Sequence, residues 1–168
     1  ARRELEQILP FFRQAKAKRE VMYVVNLLGE IARAEGKYDL AKKNYLEALE
    51  LAQDLGSQFG IAVLSLNLGF VVLYEGEPHS ARSHFAEGLA RGQEMKLNMA
   101  EYLMGFASLA AVEKEPLKAV KLFAITDAQL EAGDKRTLTR TDQADYQRYL
   151  AFAREQLDEI TFNAAWAE

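Results

Sequence analysis

Apolar side chains recur along this chain at i, i+3, i+4 and i+7 in one block after another, the mark of amphipathic helices. Ala1–Lys18 carries Leu5, Ile8, Leu9 and Phe12 on one stripe, and Pro10 inside it predicts a kink near Phe11. Arg19–Glu35 offers Val21, Val24, Val25, Leu28 and Ile31 for burial, and Gly36 stops it. Tyr38–Leu55 offers Leu40, Leu49 and Leu51 and closes at Gly56. The same unit then returns: Phe59–Glu75, a stop at Gly76, and a helix opened by Pro78 that runs to Met95. A third unit spans Asn98–Glu113, a tight turn at Lys114-Glu115-Pro116, and Leu117–Glu131.

The return is exact in spacing. Gly29, Gly36, Ala41, Tyr45 and Ala48 reappear 40 residues later as Gly69, Gly76, Ala81, Phe85 and Gly88. A weaker copy passes through Ala107, Ala119 and Phe123. A fixed period in this range belongs to stacked repeats, in which each unit buries its apolar face on its neighbours. Small residues have a mechanical use there. Gly29 or Gly69 on the first helix and Ala41 or Ala81 on the second permit close approach. Tyr45 or Phe85 fills the gap one turn later, and Ala48 or Gly88 admits the next unit. Shifted by 40, Ala1 falls on Ala41 and Leu5 on Tyr45. The chain is therefore expected to open inside the second helix of an earlier unit and to be part of a longer protein. The period breaks after Ala132: a polar turn at Gly133-Asp134-Lys135-Arg136, a loop at Thr137–Thr141, then helices at Asp142–Leu157 and Glu159–Ala167. These read as a cap, giving repeats over residues 1–134 and capping helices over 135–168.

Gly29, Ala41, Tyr45 and Ala48, at spacings of 12, 4 and 3, resemble the tetratricopeptide repeat. The period is 40 where that family has about 34, Val25 replaces its first-helix tryptophan, and Gln53 replaces its closing proline. The resemblance implies an all-α superhelix of antiparallel helix pairs with a C-terminal capping helix. Three stretches more closely resemble the repeat arrays of bacterial LuxR-type and signal-transducing-ATPase transcriptional regulators: Asn26–Gly36, Ala48–Gly56 and Phe162–Glu168. That resemblance implies a sensor or scaffold arm.

Composition adds little. The net charge of −4 and a pI near 5.4 give no attraction for phosphate backbones, so direct nucleic-acid binding is not expected. Absence of cysteine excludes disulfides and thiol chemistry and fits a cytosolic protein. No apolar run approaches a membrane span. Candidate chemistry is equally sparse. There is no phosphate loop, no nucleophile elbow and no His-Glu-x-x-His. His79 and His84 are five apart and point to different faces of a helix. Asp142 with Asp145, and Asp158 with Glu159, sit near helix starts, where carboxylates favour the macrodipole. No enzyme activity, cofactor or metal is expected.

A groove remains. The tetratricopeptide resemblance implies that first helices line the concave face, which carries over to Tyr23, Asn26, Glu30 and Arg33; Val63, Leu66, Phe70, Leu73 and Tyr74; and Glu101, Met104 and Ser108. One reading is an amphipathic groove for a peptide or partner helix, with its apolar centre near Phe70. The other is that the Asp142–Leu157 helix or a neighbouring chain covers that centre. The expected function is a non-enzymatic interaction module that binds protein or peptide, including other domains of its parent. The alternative is a small-molecule sensor. Self-association stays open.

Overall fold

The computed structural model describes residues 1–97, 99–132 and 138–167. Asn98, the expected turn at 133–136 and Thr137 lie outside them, as does the boundary placed between 134 and 135. Among the described residues the chain is helical throughout: α1 (Arg2–Gln14), α2 (Lys18–Ala34), α3 (Tyr38–Asp54), α4 (Gln58–Tyr74), α5 (Pro78–Glu94), α6 (Ala100–Val112), α7 (Pro116–Ala132), α8 (Arg140–Arg154) and α9 (Glu159–Ala167). α1 continues through Pro10 to Gln14.

The period has a half-step that the residues themselves do not announce. Left-handed backbone stands at Lys16, Gly36, Gly56, Gly76 and Lys96, one every 20 residues. Each closes a helix in the same way. At Gly36, for example, the Gly36 N–H donates to the Arg33 carbonyl and the Lys37 N–H to that of Ala32. This is the Schellman arrangement, which satisfies carbonyls the helix end would otherwise leave bare. Lysine fills the same role at Lys16, Lys96 and Lys114, so only three of these stops are visible as glycine.

The helices pack as antiparallel pairs, α2 with α3, α4 with α5, and α6 with α7, and each pair stacks on the next through α3 on α4 and α5 on α6. α1 sits on α2 as α3 sits on α4. α4 lies at the centre and is buried along almost its whole length, which is why its sequence is apolar on every side.

Within each pair an aromatic ring fills the space that a glycine leaves. A Cβ at Gly29 would lie 2.5 Å from the Tyr45 ring. At Gly69 the obstacle is the Phe85 ring, and Gly105 on α6 presses on that same ring from the next pair, 2.8 Å from where its Cβ would be. The ring thus meets the glycine directly, which is closer than a gap filled one turn further on. Ala41, Ala48 and Ala81 are fully buried, and Gly88 admits Tyr102 of the following pair.

α8 departs from the pair-on-pair pattern. It packs on α6 and α7 and also reaches back to α2, so it lies across the face formed by the first helices. α9 packs on α7.

Candidate functional site

The first helices α2, α4 and α6 lie side by side, and the twelve groove residues named from the sequence divide into two groups on their shared face. Arg33, Leu66, Phe70, Leu73, Met104 and Ser108 are buried. Asn26, Glu30, Val63, Tyr74 and Glu101 are half-buried, and Tyr23 is exposed. The apolar centre near Phe70 is therefore not an open surface. Phe70 is 0% exposed, edge-on to Phe85 at 5.2 Å, and belongs to one core with Tyr149 of α8. Tyr146 and Leu150 of α8 pack against that core. The hydroxyl of Ser108 is spent inside its own helix, donating to the Met104 carbonyl at 2.8 Å.

Besides this apolar contact, an ionic cluster seats α8. The Arg33 guanidinium, 1% exposed, donates to Asp142 at 2.5 Å and lies 3.8 Å from Asp145. It also donates to Asn67 at 3.4 Å and lies over the Phe70 ring at 5.3 Å. The chain of donors continues across α2 and α4: Asn67 donates to Asn26, and Asn26 to Glu30, each at 3.1 Å. On α8, Thr139 caps the helix by accepting from the Asp142 N–H at 3.2 Å, and its hydroxyl donates to the Asp142 carboxylate at 2.6 Å. Tyr74 donates to Asp145. Tyr74 is itself sandwiched between Tyr38, stacked at 4.4 Å, and the Arg148 guanidinium at 4.5 Å.

Asp142 and Asp145 thus do more than sit near a helix start. A carboxylate buried without a cation is costly, and Arg33 supplies the cation. Burial works against the Arg33 charge, but Tyr45, Asp142 and Asp145 more than offset it and hold its pKa above the ordinary arginine value. Asp145 remains above the usual carboxylate range because burial outweighs the help from Arg33 and Tyr74.

Glu30 shows the same effect at the open side. Burial raises its pKa above the ordinary value, Arg33 lowers it, and the Asp142 and Glu101 carboxylates push it up again. A carboxyl whose folded pKa exceeds its unfolded one favours the fold below the unfolded value and loses that contribution as pH rises through the folded value. Glu30→Gln, whose amide oxygen still accepts from Asn26, is therefore expected to leave stability at pH 4 unchanged and to raise it at pH 7. Urea midpoints at the two pH values measure this. An equal shift at both would mean that the Glu30 charge carries no penalty.

Beyond α8 the face stays open along the first half of α2, as far as Leu27, and at the start of α4. Tyr23 is 51% exposed, and Leu27 and Phe59 are 43% exposed. Val63 stands 40 residues from Tyr23, at the equivalent position of the next pair. Leu27 and Phe59 were not among the residues named from the sequence; they lie one turn from Tyr23 and Val63, which is the signal that could have found them. Among the described residues no group of three or more His, Cys, Asp or Glu is placed to hold a metal, and no helix is long and apolar enough to cross a membrane.

Residues 19–94, the first two complete helix pairs, match the tetratricopeptide repeat family. Over 85 residues, 51% of the chain, it is 32% identical to SH3 domain and tetratricopeptide repeat-containing protein 2 of Homo sapiens, and the match spans 7% of that protein's length. Repeats of this family generally mediate protein–protein interaction and are typically non-enzymatic. With helices paired, stacked and periodic over that segment, the fold is a tetratricopeptide-like helical array whose repeat signature lies in residues 19–94.

Proposed function

We propose that the chain is a protein-binding array acting as the regulatory or scaffold arm of a larger protein, on the pattern of the bacterial transcriptional regulators its sequence resembles, working in the cytoplasm. The observation that carries this reading is the open part of the first-helix face. Tyr23 and Leu27 on α2 and Phe59 at the start of α4 present apolar surface on two adjacent first helices, and Val63 of α4 is half-buried. Asn26, Glu30 and Glu101 add polar and acidic groups beyond them. That pattern suits a partner helix or extended segment with an apolar stripe flanked by a cation. A photo-crosslinking residue placed at Tyr23 or Phe59 should capture the same protein partner in cells. Placed at Leu46 or Leu117, exposed apolar positions on second helices, it should not. Capture at all four positions alike, or at none, contradicts the reading.

A second reading, a small-molecule sensor, is favoured by one feature. A cavity of about 360 Å³ lies where α8 meets α4 and α6, lined by Leu73, Tyr74, Val112, Arg148, Tyr149, Ala151, Phe152 and Glu155. The Arg148 guanidinium beside aromatic walls suits the anionic group of a ligand with an apolar body, and Glu155 adds a carboxylate to the same lining. Thermal shift on a metabolite panel, repeated with Arg148→Met, tests it: a stabilising anion whose effect disappears in that variant supports this reading.

A further inference from the structure

The seat beneath α8 has specific chemical requirements. Arg33 is a buried cation on the array, and whatever helix lies over it must bring carboxylates. α8 does so with Asp142 and Asp145, one turn apart, and adds Tyr149 one turn beyond, against the Tyr74 ring at 5.9 Å. The fit is nonetheless incomplete. Arg33 Nε and Asp145 Oδ2 are buried without a hydrogen-bond partner, and the cavity of about 360 Å³ opens along the seam. Each unpaired buried polar atom costs free energy that another occupant could recover. α8 is also held by a narrow stripe, with Gln143, Ala144, Gln147, Ala151 and Phe152 all exposed.

We propose that this seat is a binding site for acidic amphipathic helices of partner proteins, and that α8 is the chain's own occupant of it. The partner helix carries two carboxylates at i and i+3 and an aromatic residue at i+7, the pattern with which α8 meets Arg33 and Tyr74. The inference rests on the reading of the array as a protein-binding module but uses a different part of the face.

The test uses the full chain and a fluorescent peptide with the sequence of residues 138–157, followed by anisotropy. A tethered helix competes at high effective concentration, so the intact chain should bind the peptide weakly. Weakening the tethered copy with Asp142→Asn and Asp145→Asn should tighten peptide binding by about tenfold or more, roughly 1.4 kcal/mol per tenfold. A peptide carrying the same two replacements should lose that gain, and a chain with Arg33→Met should no longer distinguish the two peptides. If circular dichroism shows the doubly replaced chain unfolded, Asp142→Asn alone takes its place. A folded, weakened chain that binds the acidic and amide peptides equally, or binds neither, overturns the proposal. Such a failure leaves crosslinking at Tyr23 and Phe59 as it was; loss of both would reject the protein-binding reading as well.

Discussion

Arg33→Met is expected to destabilise the fold by about 3–5 kcal/mol at neutral pH, the usual cost of removing one partner from a buried ion pair. The substitution preserves most of the side-chain volume but leaves Asp142 and Asp145 buried, with Tyr74 still donating to Asp145 and only Thr139, from the start of the same helix, to Asp142. Asp145, already held above the usual carboxylate range by burial, would then lose the cation that draws its pKa down. Its folded pKa rises further, so the deficit should be smaller at pH 4 than at pH 7. A second chain separates charge from packing. Replacing Asp142 and Asp145 with leucine in the Arg33→Met background removes the orphaned charges and should recover most of the loss, since apolar replacements of buried ion clusters are often neutral or stabilising. Urea unfolding at both pH values measures each step. A loss below about 1 kcal/mol for Arg33→Met would be that of an exposed ion pair.

Gly69→Ala is expected to be destabilising although it improves helix propensity by about 1 kcal/mol. The added methyl meets the Phe85 ring, with Cδ1 2.5 Å away. That ring is fully buried and is pressed by Gly105 as well, so it has little room to retreat. Overpacking of a close-packed core costs about 1–3 kcal/mol, and a rigid ring held between two helices belongs at the upper end. A net loss of about 2 kcal/mol follows. Phe85→Leu alone should also destabilise, through the cavity it opens, but in the Gly69→Ala background its cost should shrink or reverse. A thermal or urea double-mutant cycle reads the coupling. Additive losses would mean that ring and glycine do not share that space.

The fold was legible because its rule is local and repeated. Gly29 and Gly69, Tyr45 and Phe85, Ala41 and Ala81 recur at one offset, and residues that must touch in every pair are bound to recur. The helix stops were half legible. Gly36, Gly56 and Gly76 advertise left-handed backbone, whereas Lys16, Lys96 and Lys114 adopt it without any compositional sign. The site was harder to read. Family geometry brought Arg33, Phe70 and Tyr74 onto one face, but no periodic rule says what lies over that face, because α8 belongs to no repeat. Its contact with α2 joins residues 109 apart in the chain. One signal was present. Asp142 and Asp145 share a stripe with Tyr149, and carboxylates on the apolar side of a helix require a buried cation. Read that way, they ask for a partner, and Arg33 is the one buried arginine among the described residues.

Amide hydrogen exchange across α8 in the intact chain puts the seating of that helix to the most direct test. The amides of α8 should exchange about as slowly as those of α6, far more slowly than in an isolated peptide of residues 138–157, and Arg33→Met should release α8 before it releases α5. Exchange of α8 at the free-peptide rate in the unaltered chain, with α2 to α7 still protected, would show that the helix does not occupy the face and that Arg33 does not hold it there.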